Sequence, residues 1–238
     1  MLLLGIESST EQVGCALGDQ RAVLASTHVS RGRRHAETLT PAIKFVCRQG
    51  GVSVRDVTVV AVDVGPGLFT GLRVGIATAK AIAQALRVPM IGLPSLDLLA
   101  FPTRFSPRLI ATVIDGRRGE LFFSFYRHVP GGVQRQFDPR IGSPDDVASE
   151  LTATGEECLL VGDGAVRYRD HFAAIDRVEV EGPGLAHPSA RSLVELAHPR
   201  ALREEWVAPH EIVPLYLRAP DAQINWTTRA LAPSSRGR

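Results

Sequence analysis

Only three cysteines occur in 238 residues: Cys15, Cys47 and Cys158. Their number is odd and their spacing fits no zinc site, so buried thiols in a reducing compartment are expected. Net charge is scarce too. Lys and Arg total 27 against 25 Asp and Glu, leaving +2. A polycationic nucleic-acid binder is thereby excluded, although a local basic patch is not. No apolar run approaches the roughly 18 residues of a membrane span. The opening MLLLGIESST has no basic leader and reaches Glu7 at once. It is expected to be a first strand and not a signal peptide, with the cytoplasm as the expected compartment. Familiar catalytic motifs are missing as well. The histidines, His28, His35, His128, His171, His187, His198 and His210, form no H-x-x-H, H-x-x-x-H or H-E-x-x-H. That removes local support for a metal hydrolase. Ser8, Ser9 and Ser95 lie outside any G-x-S-x-G elbow. No repeat of solenoid period is present.

What is there is a chain able to build a core, with 45% hydrophobic and 22% charged residues. Three β-like runs come first, LLLGIES, QVGCALGD and AVLASTHV, joined by tight turns. HAETLTPAIKFVCRQGG carries Leu39, Ile43, Val46 and Cys47 at helical spacing. Pro41 lies inside it, which predicts that the regular helix starts near that residue, and Gly50 and Gly51 end it. VTVVAVDVG reads as a strand buried on both faces. A helix over 70–86, the strand VPMIGL and the short helix SLDLLAF follow. The order βββαβαβα describes a ribonuclease-H-like half. The link FPTRFSPR, 101–108, marks a boundary. Beyond it are expected a hairpin around Asp115 to Gly119, a helix near 144–153, the strand CLLVGDG and a helix near 164–175. HPSARSLVELAHPRAL is amphipathic, with Leu193, Leu196 and Ala197 on one side, and is expected to pack back on the first half. The expected divisions are 1–104, 105–190, a returning segment 191–220 and a disordered tail 221–238.

The stretch VDVGPGLFTGLRVGIATAKAIAQAL, 62–86, asks most clearly for a function. A glycine turn between strand and helix often cradles phosphate. A P-loop, however, needs Lys-Ser or Lys-Thr after its last glycine, and Gly71 is followed by Leu72 and Arg73. A dinucleotide fingerprint needs a third glycine where Thr70 stands. Both nucleotide templates fail. The helix after the loop has a stripe of Leu72, Ile76, Ala79, Ala83 and Leu86 and a small-residue row of Gly75, Ala79 and Ala83. Such a face packs on its own sheet or meets a helix of another chain. Asp63, Asp97, Asp115 and Asp163 stand at expected element ends, where turns favour Asp for backbone hydrogen bonding. The densest basic cluster is RGRRH, 31–35. It reads as a solvated loop or as a contact for RNA or an acidic surface.

LGIESST (4–10), RRHAETLTPAI (33–43), GPGLFTGLRVGIATAKAIAQAL (65–86), VIDGRRGELFFSFY (113–126), GDGA (162–165) and PLYLR (214–218) resemble, in order and over nearly the whole chain, the bacterial TsaB (YeaZ) family. The resemblance implies an α/β actin-like ATPase (ASKHA) fold in two subdomains. It also implies a non-catalytic subunit in the synthesis of N6-threonylcarbamoyladenosine at position 37 of tRNAs reading codons that start with A. Such a subunit binds and activates a TsaD-type catalytic subunit through a helical bundle, works with a TsaE-type ATPase, self-associates through the same surface, and meets tRNA only through the complex. No cofactor, metal or catalytic residue of its own is implied. The implied interface is Leu39, Ile43, Val46, Leu72, Arg73, Ile76, Ala79, Lys80 and Ala83. Glu7, Ser8, Ser9, Thr10, Gly65 and Gly67 mark where a vestigial nucleotide contact would lie. TsaD proteins hold a metal on two histidines four residues apart, and alignment puts those positions at Leu93 and Asp97. The chain departs from the family pattern at Glu7, where Asp is common, and at Gly116, where Ala is common. Two alternatives stand beside this reading. One is a small ATPase or kinase using the Glu7–Thr10 turn, and the other a glycoprotease-like hydrolase.

Overall fold

The structure is a computed structural model and describes residues 1–30 and 35–218. The basic cluster 31–34 and the tail from 219 onward lie outside the described residues. Strands β1 (Leu2–Glu7), β2 (Val13–Asp19) and β3 (Val23–Val29) form an antiparallel meander, followed by helix α1 (His35–Gln49). Strand β4 (Val59–Gly65), helix α2 (Phe69–Leu86), strand β5 (Met90–Pro94) and helix α3 (Ser95–Ala100) complete the first half. The sheet order is β3-β2-β1-β4-β5, with β4 parallel to β1 and to β5. This is the ribonuclease-H-like arrangement that the element order predicts. β4 is β-branched along most of its length because it is central, with helices covering both faces.

The second half holds β6 (Leu109–Arg117), β7 (Glu120–Val129), β8 (Gly132–Arg135), β9 (Arg140–Gly142), α4 (Pro144–Thr154), β10 (Cys158–Val161), α5 (Asp163–Arg167), α6 (Arg169–Phe172), β11 (Val178–Val180) and α7 (Ala190–Leu202). Its sheet runs β11-β10-β6-β7-β8, with β9 also on β7. Helix α7 returns to the first sheet, where Ala190, Leu193, Val194, Ala197 and Ala201 pack on Leu3, Ala16, Val59, Ala61 and Leu93. Beyond it, Val207 bridges to Met90, and Leu215 N–H donates to Val64 O at 2.7 Å, so the final segment crosses the end of β4. No helix among the described residues is long and apolar enough to cross a membrane.

Two local expectations change. Helix α1 starts at His35 and not near Pro41. Pro41 is exposed, so the hydrogen bond it forfeits lies on the solvent side, while Leu39, Ala42, Ile43 and Val46 bury the other face. The helix expected over 164–175 is two short helices, divided at Tyr168, whose φ of −105° and ψ of 30° leave the helical region. The end of α1 is as read: Gly51 takes φ +67°, and Gly50 N–H donates to Val46 O.

Candidate functional site

Three places gather polar or exposed side chains: the glycine loop, the cleft between the sheets, and the outer face of α1 and α2.

At the glycine loop, β1 and β4 run side by side and deliver Glu7 and Asp63 to the same buried end of the sheet. Glu7 Oε1 accepts from Ser9 N–H and from the Ser9 hydroxyl, both at 2.7 Å. Asp63 Oδ1 accepts from Gly65 N–H at 2.7 Å and from the Ser95 hydroxyl at 2.6 Å. The second oxygen of each carboxyl has no hydrogen-bond partner among the described residues. Burial, and then the Asp63 charge, pushes the Glu7 carboxyl well above its ordinary range. Burial pushes Asp63 up to about 6 against the opposing hydrogen bonds from Ser95, Gly65 and Ser9. The two titrate as a pair that resists full ionisation.

The residues of the vestigial set, Glu7, Ser8, Ser9, Thr10, Gly65 and Gly67, are brought together here, packed against α2. Leu68 N–H donates to Ser9 O at 2.6 Å, the Ser8 hydroxyl donates to Gly71 O at 2.9 Å, and a His35 ring nitrogen bonds Thr10 O at 2.7 Å. A Cβ on Gly67 would stand 2.2 Å from Ser9 O, one on Gly71 2.2 Å from Ser8 O, and one on Gly75 2.1 Å from Ser8 Oγ. The four-residue step Gly67-Gly71-Gly75 is therefore a groove on the α2 side in which the chain's own 8–10 turn lies. The glycines admit backbone, and two loop N–H groups that a phosphate would use, those of Gly65 and Leu68, are already bonded within the chain.

In the cleft between the sheets, a cavity of about 650 Å³ is lined by Glu11, Asp115, Arg117, Asp163, Arg167 and His187 among others. Asp115 accepts from Arg117 N–H and from the guanidinium groups of Arg117 and Arg167, each at 2.9 Å. Arg117 also pairs with Glu11 across the cleft. Asp163 accepts from Asp115 N–H at 2.9 Å and is pushed up to about 6, first by burial. Asp97, at one of the aligned histidine positions, accepts from the Tyr126 hydroxyl at 2.7 Å and takes Arg135 bidentately at 2.7 Å. Leu93, at the other, is core. The four aspartates, read from sequence as turn residues, thus bond beyond their own turns. Asp63 reaches Ser95, Asp97 reaches Arg135, Asp115 reaches Arg167 and Asp163 reaches the Asp115 amide. Among the described residues no group of three or more His, Cys, Asp or Glu is placed to hold a metal.

The outer face of α1 and α2 corrects the interface residues. Leu39, Val46, Leu72, Ala79 and Ala83 are at most 1% exposed, and Ile43 and Ile76 are nearly as buried. They line the chain's own core because an apolar stripe at three- and four-residue steps is what holds a helix on its own sheet. Arg73 is exposed and Lys80 half-buried. The surface open to another chain is a different one. A groove of about 710 Å³ runs between α1 and α2, lined by Thr40, Lys44, Arg48, Val52, Val54, Ala81, Ile82 and Ala85, with Ile43 and Cys47 in its floor. Phe45 and Phe69 are each 40% exposed on these helices. Sequence reasoning passed over Ala81 and Ala85, although their four-residue step is the same small-residue signal as that of Ala79 and Ala83, set on the opposite side of the helix.

Residues 23–226 match the protein family described as TsaD: tRNA N6-adenosine threonylcarbamoyltransferase. The chain belongs to this family, in its TsaB/YeaZ branch. It is 26% identical to the tRNA threonylcarbamoyladenosine biosynthesis protein TsaB of Bacillus subtilis (strain 168) over 95% of this chain and 98% of that one. It is 28% identical to the TsaB of Escherichia coli (strain K12) over 92% and 95%. A solved structure from Pseudomonas aeruginosa, described as an uncharacterized protein with similarity to peptidase YEAZ, superposes with a TM-score of 0.80 at 27% identity, over 91% of this chain and 99% of that one. For a TsaB/YeaZ member the two sheets and the cleft are those of the actin-like (ASKHA) fold.

Proposed function

We propose that this chain is a non-catalytic subunit in the formation of N6-threonylcarbamoyladenosine in tRNA. In this reading it docks on a TsaD-type catalytic subunit through the outer face of α1 and α2. Chemistry on the threonylcarbamoyl donor and on adenosine 37 belongs to the partner, a TsaE-type ATPase works with the pair, and tRNA is met through the complex in the cytoplasm. The family match carries the pathway. The observation that carries the docking role is the groove of Val52, Val54, Ala81, Ile82 and Ala85, an apolar surface that the chain leaves uncovered. Two features support the absence of chemistry on this chain. At the aligned metal positions Leu93 has no donor atom, and both Asp97 oxygens are held by Arg135. At the nucleotide position the 8–10 turn fills the glycine groove. Reconstitution of modified tRNA with and without this chain tests the role. Full partner activity in its absence overturns it.

The ATPase or kinase alternative keeps one favourable observation, the polar cleft beside Asp115 and Asp163. Calorimetry of the isolated chain with Mg-ATP separates the two readings, since tight binding with turnover would favour the enzyme.

A further inference from the structure

The apolar groove between α1 and α2 is bordered almost entirely by one sign of charge. Lys44 and Arg48 stand along its α1 wall. Arg73 and Lys80 stand on the far flank of α2. None of the four has an ion-pair partner among the described residues. Arg48 and Arg73 lie over the rings of Phe45 and Phe69, at 5.8 and 3.7 Å from the ring centres. Helix α2 carries no acidic residue, and α1 carries only Glu37, in its first turn. The remaining carboxylate near the groove, Asp56, is held by Ser53 N–H and sits beside Arg55. In the sequence, Arg31, Arg33 and Arg34 immediately precede α1.

Resting on the docking role above, we infer that this face selects a heterologous partner whose helices present an apolar ridge flanked by Asp and Glu, and that the same charge disfavours pairing with a second copy of this chain. A two-fold pair would bring two such cationic rims together, because both copies offer the same patch. Like charges across an interface cost affinity, whereas complementary ones speed encounter and fix the choice of partner. A protein fits better than a nucleic acid. Between the cations lie Ile43, Val52, Val54, Ala81, Ile82 and Ala85, which a phosphate backbone has no means of burying.

The test uses the full chain, the TsaD-type subunit of the same organism, and the variant Lys44→Glu/Arg48→Glu. Both side chains are exposed, so thermal unfolding is expected to match the wild type. Binding to the TsaD-type subunit should weaken about tenfold in the variant, and wild-type binding should weaken as salt rises from about 50 to 500 mM. An equimolar mixture of wild type and variant should associate more tightly than either alone in sedimentation equilibrium. Ile82→Glu serves as the apolar control. If wild type binds, Ile82→Glu abolishes binding, and both salt and charge reversal leave affinity unchanged, the charge inference is overturned and the docking role stands. If Ile82→Glu also leaves binding unchanged, the docking role itself falls. Tight binding of a tRNA transcript that survives Ile82→Glu but not the charge reversal would show a nucleic-acid surface and overturn the inference.

Discussion

Replacing Gly75 by Ala should destabilise the protein, although helix propensity alone predicts the opposite. Gly75 lies inside α2, where Ala is worth about 1 kcal/mol more than Gly. The added Cβ would stand 2.1 Å from Ser8 Oγ but 3.4 Å from Ser8 Cβ, so the conflict is with one hydroxyl. That hydroxyl is buried and donates to Gly71 O at 2.9 Å. Turning it away forfeits about 1 kcal/mol of hydrogen bond, and the crowding adds roughly 1–2 kcal/mol. The net expectation for Gly75→Ala is a loss of about 1–2 kcal/mol. Ser8→Ala alone should lose about 1 kcal/mol for the same bond. In the double variant the two methyl groups meet at ordinary contact distance and the helix keeps its Ala. Its stability should return to within about 0.5 kcal/mol of wild type, a coupling of roughly 2 kcal/mol. Urea unfolding of the four proteins measures the cycle. At about 2–4 °C per kcal/mol, the single variants should also melt several degrees lower. Additive effects, or a Gly75→Ala protein more stable than wild type, would refute the reading of these glycines as a bed for the 8–10 turn.

The stability of Asp63→Asn relative to wild type should depend on pH. A carboxyl whose folded-state value is raised to about 6 stabilises the fold fully below its usual value near 4, and that contribution is lost as pH climbs through 6. The variant should therefore gain about 3 kcal/mol on wild type between pH 4 and 7, and parallel stability curves would contradict this. Ala85→Arg should leave unfolding within about 0.5 kcal/mol but weaken the complex in size-exclusion titrations. Ala79→Glu should instead unfold the protein, because its side chain points into the core. Asp97→Ala leaves the Tyr126 hydroxyl and Arg135 without their acceptor and should cost about 2–3 kcal/mol in thermal or urea unfolding.

The first half of the fold was legible because its signals are local. β4 is one unbroken β-branched run, and Gly50 and Gly51 stop α1 where the pattern ends. The short strands β8, β9 and β11 were missed, since three or four residues are too few to show a period of two. The candidate site was harder to read. A stripe such as Leu72-Ile76-Ala79-Ala83 states that a face is buried, not which surface buries it, and here the chain's own sheet does. The outward groove depends on where Val52 and Val54 sit beside α2, and spacing along one helix does not carry that. Asp97 with Arg135 and Asp115 with Arg167 join residues 38 and 52 positions apart, so each aspartate seen singly resembles a turn residue.

The late return of the chain to the first sheet sets an order of events during synthesis. All five strands of that sheet are made by residue 94, yet one face stays bare until α7 emerges. The end of β4 is not closed until Leu215 reaches Val64. A nascent chain stopped near residue 104 would expose Leu3, Ala16, Val59, Ala61 and Leu93 as an open apolar surface. The ribonuclease-H-like half is thus complete in sequence long before it can be stable. Its folding waits for the final forty residues of the described chain, and until then it is a natural client for a chaperone.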